Sequence, residues 1–393
     1  MDFSLSPREE RFRDELRAWL AANLPEHRKV YPPSDDELSL HPDKSFDACR
    51  VWHKRLYAGR WMGVQWPYEY GGRGAGLVER LLYTEEMIAA SAPPGVNTIG
   101  LAMVGPAVMH HGTPEQKARW LRPILAADEI WCQGFSEPGA GSDLANLSTR
   151  ARLDGDDFAV SGQKVWTSNA HRSDYCILLA RTDPDAPKHK GISCLLVDMK
   201  SPGITIRPLV QVTGDAEFNE VFFDEVPVPR ASLLGRLHGG WEVAITILMY
   251  ERMSLGSMVG LHQYVDRVLD LARRHDGTAA DPVLRQRLAD LYIAGRALRL
   301  TNLRYMTREL RGEVPSAEGS VLKLTFTDAY KQMAEIATQI IGPYHQIWGD
   351  HPLAPEDGRW AFQALFANRF GIAGGTDQIQ RSIIGERLLG LAK

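Results

Sequence analysis

Thr149-Arg150-Ala151-Arg152-Leu153-Asp154-Gly155-Asp156-Asp157-Phe158-Ala159-Val160 is the stretch whose reading settles the class of fold. Asp154-Gly155 marks a hairpin turn between Thr149–Leu153 and Phe158–Val160, because glycine admits the positive φ that a tight turn needs. Short apolar runs follow at Tyr175–Ala180, Ile192–Val197 and Val221–Phe223, each bounded by turn residues. Several strands at this spacing predict a small β-barrel or sandwich over residues 129–235.

Outward from this zone in both directions the periodicity becomes helical. Toward the N-terminus, Ser6-Pro7 is a cap followed by a helix-starting proline, and Phe12, Leu16, Trp19 and Leu20 follow at spacings of three and four. Trp61 to Gly76 reads as a glycine- and aromatic-rich loop, and a second helix start stands at Thr113-Pro114. Toward the C-terminus, Leu322, Phe326, Tyr330, Met333, Ile336 and Ile340 hold one face of a helix, preceded by a helical segment over Thr301–Arg311. The expectation is an α+β chain of three domains: helical over 1–128, β over 129–235 and a helical bundle over 236–393.

Composition narrows the function. The 393 residues carry 45 basic and 49 acidic side chains, a net charge of −4, with no basic run to hold nucleic acid. Four cysteines, Cys49, Cys132, Cys176 and Cys194, form no C-x-x-C pair, which suits a reduced, cytoplasmic protein. The first 24 residues alternate in charge and do not read as a signal peptide. The longest charge-free stretch, Met87 to Pro114, contains Pro93, Pro94, Gly95, Gly100, Gly105 and Pro106, which are expected to break any membrane-spanning helix. Several catalytic motifs fail on inspection. Gly72-Arg73-Gly74 has Leu77 where a dinucleotide fingerprint needs its third glycine, and Gly162-Gln163-Lys164 is not a P-loop. Gly134-Phe135-Ser136-Glu137-Pro138 lacks the last glycine of a nucleophile elbow. His110-His111 cannot present two metal ligands on one helical face, so no metal is expected.

One anomaly remains. From Val243 to Val265, Glu251 and Arg252 are the only charged side chains. On a helix, Glu251 would share a face with Ile247, Leu248 and Leu255, where desolvation raises a carboxyl pKa. Such a group is suited to removing a weakly acidic C–H proton beside a carbonyl. A structural Glu–Arg pair is the alternative reading.

Four long stretches carry a resemblance. Trp131-Cys132-Gln133-Gly134-Phe135-Ser136-Glu137-Pro138-Gly139-Ala140-Gly141-Ser142-Asp143 resembles a signature of the acyl-CoA dehydrogenases, as does Gly162-Gln163-Lys164-Val165-Trp166-Thr167-Ser168-Asn169. Phe218-Asn219-Glu220-Val221-Phe222-Phe223 and Gly375-Thr376-Asp377-Gln378-Ile379-Gln380-Arg381 complete the set, in order along the whole chain. The resemblance implies an N-terminal helical domain, a middle β domain and a C-terminal four-helix bundle, with FAD between them. It also implies that Phe135 and Ser136 contact the flavin, that Trp166 packs on it and that Ser168 bonds near N5. Ser142 would lie along the thioester or pantetheine, with Arg252 beside the substrate. Thr376 and Gln378 would touch the cofactor, often across a subunit interface, and Gln339 and Gly342 would approach its adenine end. Pro343 replaces a glycine there, and an Arg-x-x-Phe…Gln element is missing ahead of Leu288-Ala289-Asp290, where Arg285 or Gln286 stand as substitutes.

Many members carry their catalytic glutamate where this chain has Gly374; a subset carries it directly before an arginine on a bundle helix, which matches Glu251-Arg252. The reaction implied is α,β-dehydrogenation of an acyl-CoA to a trans-2-enoyl thioester. Glu251 would take the α-proton, flavin N5 the β-hydride, and the Gly374 backbone N–H would hold the thioester carbonyl. Small residues at Ala373 and Gly374 leave room for a branched, cyclic or bulky acyl group. The opening Met1-Asp2-Phe3-Ser4-Leu5 and the stretch from Trp131 to Asp143 look similar to large subunits of bacterial pimeloyl-CoA and sterol-side-chain dehydrogenases. Expected partners are an electron-transfer flavoprotein and either further copies, as dimer or tetramer, or a paralogous chain in an α2β2 tetramer. Two other readings are a flavin monooxygenase or oxidase on the same scaffold and a non-catalytic subunit.

Overall fold

In a computed structural model the described residues are 4–31, 42–254, 261–275, 281–313, 317–348 and 351–392, without the side chains of 42–45 and 252–254. Helices α1 (Pro7–Val30), α2 (Pro42–Ala58), α3 (Leu77–Ala89), α4 (Gly105–His111) and α5 (Pro114–Ala126) come first. Both anticipated starts are capping boxes: Ser6 with Glu9 opens α1, and Thr113 with Gln116 opens α5. Strands follow as β1 (Trp131–Gly134), β2 (Arg150–Asp154), β3 (Asp157–Lys164), β4 (Tyr175–Arg181), β5 (Ile192–Asp198), β6 (Ile204–Leu209), β7 (Phe218–Pro229) and β8 (Leu233–Leu234). The chain returns to helix in α6 (Gly240–Ser254), α7 (Leu261–Arg274), α8 (Pro282–Leu310), α9 (Glu318–Ile341), α10 (Arg359–Phe366) and α11 (Asp377–Ile383). The order is helical, then β, then helical, as the sequence predicts.

The chain compacts into two units. One contains the described parts of His41–Ala75 and Pro93–Ser254; the other contains those of Met1–Leu40, Gly76–Ala92 and Leu255–Lys393. In the first, the strands form one sheet in the order β6-β7-β3-β2-β4-β5-β8, with β1 parallel to β4. The β2–β3 hairpin closes at Asp154 opposite Asp157, with Gly155 at φ +63°. Phe158, Val160, Leu178, Leu195, Val197 and Val226 meet in a core enclosed by the sheet. Each such side chain contributes roughly 1.5–3 kcal/mol through burial.

The chain is non-helical through Pro93, Pro94 and Gly95 of the charge-free stretch, and helix resumes across Gly100, Gly105 and Pro106. A π turn at Gly100–Val104 runs directly into α4. Pro106 has no N–H, so in this wider register the carbonyl of Leu101 loses its donor. The indole Nε1 of Trp66 donates to that oxygen at 3.1 Å and restores the bond. No described helix is long and apolar enough to cross a membrane.

In the second unit, α1 and α3 are joined by Arg8–Glu79 at 2.7 and 3.0 Å and by Arg17–Glu86 at 2.7 Å. Helices α7, α8 and α9 pack as a bundle whose core holds Leu261, Val265, Leu291, Leu298, Met333 and Ile336. The anticipated face of α9 is buried at Leu322, Phe326, Tyr330, Met333 and Ile336, and Ile340 packs against it partly covered.

Candidate active site

The motif residues divide between the two units. In the sheet unit, Phe135 and Ser136 follow directly on β1, and Trp166, Thr167 and Ser168 follow on β3. The two loops are tied together where the Val165 N–H donates to the Ser136 carbonyl at 2.9 Å. Phe135 is buried, while Ser136 and Ser168 are half-buried. Trp166 is different: its indole is 59% exposed and its backbone sits at φ +60°. A non-glycine residue in that conformation costs about 1–2 kcal/mol, so something must hold it. Asn219 of β7 does this, exchanging backbone bonds with Thr167 at 3.0 and 3.1 Å while its Nδ2 donates to the Thr167 carbonyl at 3.0 Å. Asn169 closes the loop by donating its N–H to the Glu217 carbonyl at 2.7 Å. Phe218 braces the indole edge-on, with ring centroids 6.0 Å apart.

The result is a large aromatic face held toward solvent beside two accessible hydroxyls. That donor set fits a flat ring system with a polar edge, which is what the isoalloxazine of FAD presents. The buried Thr167 Oγ1 has no hydrogen-bond partner among the described residues. Ser142 lies on the exposed loop beyond, where its neighbour Asp143 pairs with Lys188 at 2.9 Å.

Glu251 lies near the end of α6, in this same unit, and is half-buried. The helix is fixed by Thr246 Oγ1 against His111 Nε2 at 2.8 Å and by Tyr250 OH against His110 Nε2 at 3.4 Å. Ile247 on the same face is fully buried and Leu248 partly so. Burial pulls the His111 imidazole below its usual value, with the His110 charge acting the same way. Leu255 and the side chain of Arg252 fall outside the described residues.

In the helical unit, Gly374 and Gly375 stand at φ +66° and +88° ahead of α11, a left-handed pair that glycine adopts freely. Gln380 Nε2 donates to both of their carbonyls, at 3.0 and 3.3 Å. The Gly374 N–H meets no backbone acceptor among the described residues. Thr376 caps α11, its Oγ1 accepting from the Ile379 N–H at 3.3 Å, and Gln378 is exposed beside it. Asp377 turns inward to Lys323 Nζ at 2.6 Å, with Lys331 at 3.5 Å. Gln339 is exposed at the far end of α9 and Gly342 caps that helix. Lys331 and Gln339 are eight positions apart on α9, about 12 Å at 1.5 Å per residue. Arg285 and Gln286 are exposed on the first turn of α8.

Motif reading passed over one feature. Lys164 is fully buried, its Nζ donating to the Phe135 carbonyl at 3.0 Å and to Glu137 Oε1 at 2.7 Å. Glu137 also accepts from the Ser148 N–H and hydroxyl, at 2.7 and 2.8 Å, and from the Thr149 N–H at 2.9 Å. Burial alone would raise this carboxyl. The Lys164 charge and the bonds from Lys164, Thr149 and Ser148 outweigh it and hold the group at about 2. Burial pulls the Lys164 ammonium down from its usual range, against the opposing pull of Glu137. Even parity with Phe158 and Val160 on β3 was the available signal that Lys164 points inward.

Models of three acyl-CoA dehydrogenase domains match the chain: the N-terminal domain over residues 6–128, the middle domain over 132–226 and the C-terminal domain over 238–389. The chain is 39% identical over 388 residues to the acyl-CoA dehydrogenase IpdE1 of Mycobacterium tuberculosis, covering 98% of each. The solved structure of the Tcur3481-Tcur3483 steroid ACAD is similar over the whole of both chains, at 32% identity and a TM-score of 0.87. A chain of the ChsE4-ChsE5 complex from Mycobacterium tuberculosis matches over its full length at 31% identity and a TM-score of 0.85. This chain belongs to the acyl-CoA dehydrogenase family, whose members are FAD-dependent oxidoreductases.

Proposed function

We propose that the chain binds FAD and converts a bulky, branched or cyclic acyl-CoA to its trans-2-enoyl thioester, with Glu251 as the α-proton base. Bound FAD supplies a two-electron acceptor that takes the β-hydride at N5. The chain's own residues do the rest. Glu251 removes the α-proton, the electron pair of that C–H bond becomes the new C=C bond, and the carboxyl carries the proton away. The Gly374 N–H donates to the thioester carbonyl and stabilises the negative charge that builds there as the proton leaves. Trp166 would offer its face to the ring system, with Phe135 and Ser136 at its edge and Ser168 near N5. Ser142 lies along the pantetheine and Arg252 beside the substrate.

The observation that carries this reading is Glu251, half-buried on an α6 that is anchored in the unit holding Phe135, Ser136 and Trp166. The Gly374 N–H, with no backbone acceptor among the described residues, supports the carbonyl site, and the small Ala373-Gly374 pair supports a roomy acyl pocket. A solved neighbour at TM-score 0.87 is named as a steroid ACAD, which supports a ring-bearing acyl group. Thr376 and Gln378 would reach the cofactor across a subunit interface, so that a second subunit completes the site. That subunit is either another copy or a paralogous chain in an α2β2 tetramer, and the neighbours named as two-component assemblies favour the latter. An electron-transfer flavoprotein in the cytoplasm is the proposed electron acceptor.

The test is anaerobic stopped-flow reduction of the flavin by a panel of acyl-CoAs, with co-purifying chains retained. Glu251→Gln keeps the shape and removes the base, so flavin reduction should fall by about 10²-fold or more. A near-normal rate in Glu251→Gln would remove Glu251 as base. No reduction by any acyl-CoA in the intact assembly would favour a non-catalytic subunit.

A further inference from the structure

Lys164 is a charged side chain in a place that gives it no access to substrate or solvent. It extends through the sheet core at 0% exposure. A Cβ on Gly134 would stand 3.5 Å from Lys164 Cγ and only 2.9 Å from both Cys176 Sγ and Leu178 Cδ1. The ammonium ends at two acceptors, the carbonyl of Phe135 and the carboxylate of Glu137. Glu137 is in turn held by three donors from Ser148 and Thr149. Neither partner can swing away, because neither has water to turn to.

The peptide unit between Phe135 and Ser136 is therefore polarised. A cation on its oxygen draws electron density from its nitrogen and strengthens the Ser136 N–H as a donor, and such polarisation is larger in a dry interior than in water. Ser136 is also the residue whose loop is bonded to Val165, next to the exposed Trp166.

We infer that Lys164 is a positioning residue that raises the flavin's reduction potential, acting through the Phe135–Ser136 peptide, with Glu137 as its counter-charge. This rests on the reading that the two loops hold FAD. Reduction adds negative charge to the ring system, so a buried cation beyond the contacting peptide favours the reduced form, and a buried anion opposes it.

The two partners then make opposite predictions. Lys164→Met removes the cation and should lower the potential, changing the reduced-to-oxidised ratio at fixed poise by about tenfold, which is 29.6 mV for a two-electron couple. Glu137→Gln leaves the cation less compensated and should move the potential the other way. The measurement is a spectroscopic redox titration of the intact FAD-loaded assembly against reference dyes. A role in folding alone would leave both potentials unmoved or shift them in the same direction, and either result overturns the inference. Should Lys164→Met fail to fold, Glu137→Gln decides alone: an upward shift supports the inference, and no shift or a downward one ends it. Failure of the wild-type assembly to bind FAD would instead defeat the reading of the loops, and is seen before any variant is made.

Discussion

Each compact unit secures a motif loop with a buried lysine–carboxylate pair, yet the two pairs are built differently. In the sheet unit, Lys164 and Glu137 have side chains 0% and 4% exposed, and the carboxylate accepts four hydrogen bonds. In the helical unit, Lys323 and Asp377 are 6% and 10% exposed, and a second cation, Lys331, stands 3.5 Å from the carboxylate. The first is a closed network in which removing either charged partner strands the other. The second has a cation in reserve. Burial depth alone does not set the worth of an ion pair; what remains after one partner is lost does.

The largest expected effect follows from the closed network. Lys164→Met leaves Glu137 unpaired in a dry core and should cost about 3–5 kcal/mol in denaturant unfolding. A loss no bigger than that of an exposed pair, under about 1 kcal/mol, would erase the contrast. Acid sharpens the same point. Glu137 has its folded pKa held at about 2, below the ordinary 4.5, so its stabilisation is complete above about pH 4.5 and drains away as pH falls toward 2. Between pH 7 and pH 3 the stability gap between wild type and Glu137→Gln should therefore narrow by about 2 kcal/mol, at 1.36 kcal/mol per unit. In the helical unit, Lys323→Met should cost only about 1.5 kcal/mol, because Lys331 remains to face Asp377. A loss equal to that of Lys164→Met would show that the reserve cation compensates nothing. Smallest is Thr376→Ala, which removes the α11 cap and should cost about 1 kcal/mol, read as faster amide exchange at Ile379.

The same contrast explains what could be read in advance. Local rules were sufficient for the caps at Ser6 and Thr113, the hairpin at Asp154-Gly155 and the buried face of α9, because each depends on residues within a few positions. Phe135, Ser136, Trp166 and Ser168 were legible as a motif, and the structure brings their loops together through Val165 and Ser136. Strand parity could point Lys164 inward, but its two acceptors were not legible, since they lie 27 and 29 positions away on another loop. Nor was the grouping of α6 with the sheet, where Gly240 at the start of the helix lies against the backbone of Ser193 and Cys194 on β5, more than 45 residues earlier. That Pro106 sits inside a helix was not legible for a related reason. Proline's veto is a local rule, and the donor that overrides it comes from a distant tryptophan.

That donor makes two positions conditional on each other. Trp66 is bound to Leu101 because Pro106 cannot be, so the residues acceptable at 66 depend on which one occupies 106. An aromatic ring without the indole N–H would orphan a part-buried carbonyl, unless an amide proton had first returned at 106. Any mutational route between this chain and a relative differing at both sites has a preferred order of steps, fixed by a single hydrogen atom.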